Sequence, residues 1–210
     1  MREAFKNEMQ LYANFMGEIK IRADAIERLL ACLRPGFTGT PGTFVEAESA
    51  ILQVRFVCEL IALSALAAHN HMGLTKDMRK AYKAGEVFQL LSTLNKHSFP
   101  RAVKIAHPGG KLHFELPTGH LTAKGLADIY GKCGDVLHRG RLKHLIDGTI
   151  KNYNLSDVVR WTSSIKQLLN QHIIMLPDSG YVFIATMVSS PEGNVSVALA
   201  HAPSGWQLQE

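Results

Sequence analysis

The stretch that decides the fold runs from Phe44 to His71 and reads FVEAESAILQVRFVCELIALSALAAHNH. Apolar side chains occupy nearly every face of this stretch when it is drawn as a helix, so the sequence predicts a long central helix surrounded by other helices. At about 100° per residue, four polar side chains fall within roughly a quarter turn of one another. This polar stripe consists of Glu48, Arg55, Glu59 and His69. Because burying unpaired charges costs several kcal/mol, the stripe needs partners from another helix, a second subunit or a ligand.

Residues 1–34 predict a second long helix, which ends at Pro35 and Gly36. Its apolar residues alternate spacings of four and three without a break, which makes a narrow seam along one face. The seam consists of Phe5, Met9, Tyr12, Met16, Ile19, Ala23, Ile26, Leu30 and Leu33. Such a seam fits either a neighbouring helix of an antiparallel bundle or its own copy in a homodimer, and a homodimer is predicted.

The rest of the chain predicts three more helices and two hairpins. The helices span about 75–95, about 122–137 and about 156–174, and the second of them contains Gly131 and Gly134. Glycine inside a helix weakens it, so these positions indicate close approach by a neighbouring helix or a substrate backbone. Alternating residues predict a short hairpin in the 99–121 loop, and a C-terminal hairpin is predicted over 180–201.

Length and composition favour one domain spanning 1–210, because 46% of its 210 residues are hydrophobic, enough for a packed core. The domain is expected to comprise the heptad helix (1–34), a bundle (43–175) and the hairpin (180–201). The predicted fold class is therefore all-α, with about five helices. An α+β fold is the alternative, if the two hairpins join one sheet.

Several classes of protein are disfavoured by the sequence. Arg55 and Glu59 lie near the middle of the most apolar segment, which argues against a membrane span, and no apolar run follows the N-terminal charges. A cytoplasmic protein without a membrane partner is predicted. The three cysteines are expected to be reduced core residues, and the histidines lack the spacing of metal ligands, so no metal is predicted. No cofactor is predicted either, because GxSxG, Walker and GxGxxG motifs are absent from the sequence.

The formal net charge of +5 favours an acidic partner without identifying one. The densest positive charge lies in residues 138–144, HRGRLKH, which hold five basic or titratable side chains. Within this basic run the predicted RNA-binding residues are Arg139, Arg141, Lys143 and His144. A carboxylate beside an imidazole raises its basicity, and a nearby Arg stabilises charge on a phosphate. Glu59, Arg55 and His138 are therefore candidates for cleaving RNA without a metal. The alternative is that Arg55 and Glu59 pair only with each other and His138 merely ends a helix.

Two segments, LQVRFVCELIALSALAAH (52–69) and IYGKCGDVLHRG (129–140), resemble a family of bacterial and phage hypothetical proteins. More distantly, an early helix with internal polar residues and a later helix ending near a His resembles the HEPN superfamily. That resemblance implies a helical bundle, often dimeric, and in many members a metal-independent RNase of defence, toxin or RNA-processing systems. The HEPN motif places an Arg four to six residues before the His. This chain has Lys132 there, which completes the candidate catalytic set but cannot make the bidentate phosphate contact of Arg.

The predicted function is thus an RNA-binding protein or metal-independent endoribonuclease of a defence or toxin-type system. The alternative is a non-catalytic module of such a system that binds a protein partner. A regulator that binds a small molecule is a third hypothesis.

Overall fold

The structure, a computed structural model, describes residues 5–33, 41–106, 113–138, 153–176, 180–188 and 193–201. Helices within these ranges are α1 (Lys6–Leu33), α2 (Pro41–Ala68), α3 (Lys76–Lys80), α4 (Ala84–Leu94), α5 (Ala123–Leu137) and α6 (Leu155–Leu169). Strands within them are β1 (Arg101–Ala102), β2 (Lys104–Ala106), β3 (His113–Glu115), β4 (Gln171–Leu176), β5 (Tyr181–Thr186) and β6 (Ser196–His201). A short 3-10 turn, Asn70–Met72, follows α2.

The long helices α1 and α2 pack side by side in antiparallel directions. Arg22 of α1 donates to the Gln53 side chain of α2 at 2.7 Å, while Glu8, near the start of α1, accepts from Asn70 beyond the end of α2 at 3.4 Å. The predicted seam of α1 is confirmed, because all of it except the partly buried Met9 is buried. Since the seam packs in the core of its own chain, it no longer argues for a homodimer, which stays a prediction.

Helix α2 lies in the interior, as its apolar composition predicts. Its residues Phe44–Ala68 are long and apolar enough to cross a membrane by length and composition, with a mean hydropathy of 1.8. Within the protein, however, 67% of the most apolar stretch is buried. The high hydropathy of α2 is therefore explained by its position in the core.

The prediction of an all-α fold is wrong, because the structure is mixed α/β. A four-stranded antiparallel sheet has the order β1-β4-β5-β6, and β2 and β3 form a separate two-stranded sheet. The expected helix over 156–174 ends at Leu169, and β4 begins at Gln171. Because β4 is buried on both faces, its apolar run shows no alternation, and such a run does not distinguish a strand from a buried helix.

Both predicted hairpins are present, although they do not join one sheet. Strand β5 pairs with β6 in a register that places Tyr181 opposite His201, and the predicted turn lies partly outside the described residues. Strands β2 and β3 pair within the 99–121 loop. The condition of the α+β alternative, one sheet shared by both hairpins, is therefore not met, and the larger sheet is built on β4, most of which was predicted to be helical.

The four-stranded sheet has two covered faces. Its inner face packs on the helices through residues such as Phe183 and Ile174, which belong to the main core. Its outer face carries Ile173 and Val182, against which Ile105 and Phe114 of the small hairpin pack. The small hairpin thus acts as a cover over the outer face of the sheet.

The helix predicted over 75–95 is two helices with a break between them. Thr75 caps α3 by accepting from the N–H of Met78 at 3.2 Å, and α3 ends where Ala81 adopts an extended conformation. Lys83 is also extended and precedes α4. This break lets Met78, Ala81 and Ala84 all be buried in the core.

Candidate functional site

Each residue of the polar stripe has a partner within the chain. The Glu48 carboxylate accepts a hydrogen bond from the Tyr153 hydroxyl. His69 is buried, with Nδ1 2.7 Å from the carbonyl oxygen of Ala65 and Nε2 2.7 Å from the side-chain nitrogen of Asn95. A carbonyl only accepts, so Nδ1 carries the proton and Nε2 accepts from Asn95. The prediction that the stripe needs partners is confirmed, and the chain itself supplies them.

Arg55 and Glu59 meet Tyr130 of α5, and these three residues form what we call the Arg55 cluster. Arg55 Nη2 donates to the Tyr130 hydroxyl at 2.8 Å, and the guanidinium carbon lies 4.4 Å from the centre of the tyrosine ring. Arg55 Nε is 3.5 Å from Glu59 Oε1. The side chains of Arg55 and Glu59 are 27% and 21% exposed, so the ion pair lies at the edge of the core. A cation over an aromatic face adds to such a contact.

The absence of a side chain at Gly134 lets Arg55 of α2 lie close to α5. A Cβ built at Gly134 would lie 2.8 Å from Arg55 Nη1, closer than real Cβ contacts, whereas a Cβ at Gly131 would meet nothing within 4 Å among the described residues. The prediction that a helical glycine marks a close approach is therefore confirmed for Gly134, while no described residue approaches Gly131. A side chain at Gly134 would displace the Arg55 guanidinium, the flexible end of a long side chain.

His138 follows α5 directly, and its backbone N–H donates to the carbonyl of Gly134 at 3.1 Å. Tyr130, Gly134 and His138 are spaced by four residues, so their positions lie on one side of α5. The side chain of His138 is exposed. Lys132, in contrast, is exposed at a position about 200° around the helix from Gly134, so the structure does not bring it to the Arg55 cluster.

The predicted RNA-binding residues Arg139, Arg141, Lys143 and His144 lie outside the described residues. The structure therefore places the beginning of the basic run, at His138, and says nothing of the rest. Tyr130 is the member of the cluster that the sequence analysis missed. The signal that could have found it is its spacing of four residues before Gly134 and eight before His138.

Burial sets the chemical state of the groups beside the Arg55 cluster. It raises the pKa of the Tyr130 hydroxyl, which Arg55 opposes. It also raises the pKa of Cys133 to about 12 and the pKa of Cys58 well above its usual value. Both buried cysteines are therefore inert thiols of the core, as predicted. All three cysteines are free, but Cys32 is exposed, so the prediction of a core position is wrong for it.

A groove lies between α1 and α6, where β5 ends. This groove has a volume of about 710 Å³. Ile19, Ala23 and Leu169 contribute apolar wall, while Lys166 Nζ and Glu27 Oε1 form an ion pair of 2.6 Å at the rim. Nothing in the sequence pattern signals the groove, because its walls come from two helices that are far apart in the chain.

The described part of the chain holds no group of three His, Cys, Asp or Glu side chains close enough to bind a metal ion. Comparisons of the chain with protein-family models, with curated proteins and with solved structures give no match.

Proposed function

We propose that this protein binds RNA along α5, at the surface of the Arg55 cluster and His138, with the basic residues that follow His138 in the sequence adding positive charge. The observation that carries the proposal is that Tyr130, Gly134 and His138 share one side of α5, with Arg55 lying over Gly134. The HEPN resemblance implied an all-α bundle, which this chain does not have, so the proposal rests on these residues alone.

The residues have distinct tasks in this proposal. Arg139, Arg141 and Lys143 neutralise phosphates, which makes binding depend on salt through counterion release. Arg55 is held by Tyr130 and Glu59 while 27% of its side chain stays exposed, so a phosphate that reaches it meets an oriented cation.

We further propose that His138 allows cleavage without a metal. The imidazole takes the proton of a ribose 2′-hydroxyl, the 2′-oxygen attacks the adjacent phosphorus, and the bond to the 5′-oxygen breaks. The leaving 5′-oxygen takes a proton from water, and the hydroxide that remains takes the proton held by His138, so the products are a 2′,3′-cyclic phosphate and a 5′-hydroxyl. Arg55 stabilises the negative charge that develops on the phosphate.

The experiment uses two glycine substitutions as a matched pair. Gly134→Ala should displace Arg55, whereas Gly131→Ala adds the same methyl group to the same helix where no described atom lies within 4 Å. We expect weaker binding of a fluorescent single-stranded RNA by the first variant and unchanged binding by the second. Equal binding by both variants would refute a role for Arg55.

The catalytic part of the proposal has its own test, cleavage of the RNA in excess EDTA. His138→Ala should abolish the cutting while binding persists, since general base catalysis contributes about 10²–10⁴-fold. Cutting that survives in His138→Ala would place the activity elsewhere. If the protein neither binds nor cuts RNA, the result favours the alternative in which it binds a protein partner.

The groove between α1 and α6 favours a second candidate function, binding of a small apolar molecule. Its volume of about 710 Å³ falls within the range of ligand pockets, about 300–1,000 Å³. Ala31 lines the groove and is exposed, so Ala31→Phe should fill part of it without disturbing the core. An apolar dye that fluoresces on binding to the protein should lose its signal in this variant, and an unchanged signal would exclude the groove as its site.

A further inference from the structure

The segment Lys76–Lys83, with the sequence KDMRKAYK, carries a concentration of exposed positive charge that the proposed function does not use. Its cations are Lys76, Arg79, Lys80 and Lys83, and all four are exposed. Asp77 is the one acidic residue in the segment. We call it the basic segment.

The core anchors the basic segment. Met78 and Ala81 are buried, Thr75 caps the short helix, and Arg79 Nε donates to the backbone carbonyl of Leu74 at 3.3 Å. Because its apolar residues are fixed in the core, the segment holds its cations on an ordered surface.

Tyr82 is the unusual residue of the basic segment. It lies in the break between α3 and α4, and it is 55% exposed although its neighbours Ala81 and Ala84 are buried. An aromatic ring in water among cations is the combination that binds unpaired bases, because the ring stacks on a base and the cations contact the backbone. An exposed ring has no comparable use in a surface that only attracts anions.

The position of the basic segment relates it to the proposed RNA surface. A Cβ at Gly85 would lie 3.2 Å from the Cβ of Ala127, so the start of α4 lies beside the first half of α5. His138 follows Ala127 by eleven residues, about 16 Å along the axis of α5. Tyr130 lies between them, so the basic segment lies nearer the start of α5 and His138 lies at its end.

We infer that the basic segment is a second contact for RNA that is specific for single strands, in which Tyr82 stacks on an unpaired base and the surrounding cations contact phosphates. This inference rests on the proposed function for the identity of the ligand. It adds the class of substrate, because bases paired in a duplex are stacked on each other and do not offer a face to Tyr82.

The test measures binding of two fluorescein-labelled RNAs by fluorescence anisotropy, a single-stranded oligouridine and a blunt duplex of equal charge. Tyr82→Ala should weaken binding of the single strand about tenfold, while Tyr82→Phe, which keeps the ring, should retain it. Neither substitution should change binding of the duplex. Lys80→Gln and Lys83→Gln should each lower the slope of log K against log salt by about 0.7 for the single strand.

The results separate this inference from the proposed function. If Arg139→Ala and Gly134→Ala weaken RNA binding while Tyr82→Ala leaves it unchanged, the inference is overturned and the proposed function stands. If only Tyr82→Ala weakens it, the inference stands and the proposed surface on α5 falls. If polyglutamate binds as tightly as oligouridine and is unaffected by Tyr82→Ala, the basic segment is a surface for acidic proteins and the inference is overturned.

Discussion

Acid should weaken the fold through one buried imidazole, that of His172 on β4. Its Nδ1 lies 2.8 Å from the carbonyl oxygen of Leu169, and its Nε2 lies 2.6 Å from the hydroxyl of Tyr12. The carbonyl only accepts, so Nδ1 carries the proton and Nε2 accepts from Tyr12. The imidazole is fully buried and neutral, and a second proton would occupy the nitrogen that accepts this bond.

The magnitude follows from the pKa of His172, which burial lowers from 6.5 to about 4. Below pH 6.5 the unfolded chain binds a proton at His172 that the folded chain does not bind. The contribution of neutral His172 to the free energy of unfolding is therefore fully present above that pH. It is lost as the pH falls toward about 4. At about 1.4 kcal/mol per pKa unit, the loss is ~3 kcal/mol in the free energy of unfolding. Burial also lowers the pKa of His69, which adds a loss of the same sign.

The assay is urea unfolding followed by circular dichroism at a series of pH values between about 4 and 7. The wild-type protein should lose stability with a slope near 1.4 kcal/mol per pH unit for each proton taken up. In His172→Gln this slope should fall by about 1.4 kcal/mol per pH unit, the contribution of one proton. The variant should also be less stable at neutral pH. The reasoning is refuted if both proteins show the same dependence on pH, or if NMR shows the imidazole of His172 titrating near its ordinary value in the folded protein.

Three further predictions concern stability and use the same unfolding assay. Gly131→Ala should raise the free energy of unfolding by about 0.5–1 kcal/mol, because alanine favours a helix and a Cβ there meets no described atom within 4 Å; a loss of stability would reveal a hidden contact. Glu59→Ala should cost only about 1 kcal/mol, because Arg55 keeps its other partner on α5 and the ion pair is partly exposed; a cost of several kcal/mol would show that Tyr130 does not compensate for the lost carboxylate. Glu27→Gln should change stability by less than about 0.5 kcal/mol, since its ion pair with Lys166 is exposed, and a larger loss would mean that this pair holds the groove together.

Patterns that repeat within a single helix or hairpin could be predicted from the sequence. The seam of α1 follows from its spacing, because a helix places residues three and four apart on the same face whatever surrounds it. The caps at Thr75 and Thr122 are also local, since each side chain bonds the backbone three residues ahead. The C-terminal hairpin could be predicted because alternation and turn residues are adjacent in sequence.

The candidate site could be predicted in part. An Arg and a Glu one turn apart in an apolar helix indicate that these side chains have partners. The structure shows that Tyr130 is the partner of Arg55 on α5. The identity of that partner depends on how α2 and α5 are aligned, which no single segment encodes. Lys132 shows the converse, because its spacing from His138 suggested a shared site while the helix places it on another side.

The tertiary structure decided the class of the fold. Residues 173–176 of β4 form an apolar run, and such a run satisfies a buried helix and a strand covered on both faces equally well. It becomes a strand because β5 offers it a complete ladder of hydrogen bonds and because β1, about seventy residues earlier in the chain, pairs with its other edge. Helix periodicity is a property of neighbours in sequence, whereas strand pairing and the groove between α1 and α6 are satisfied by residues distant in sequence, so only the folded chain fixes them.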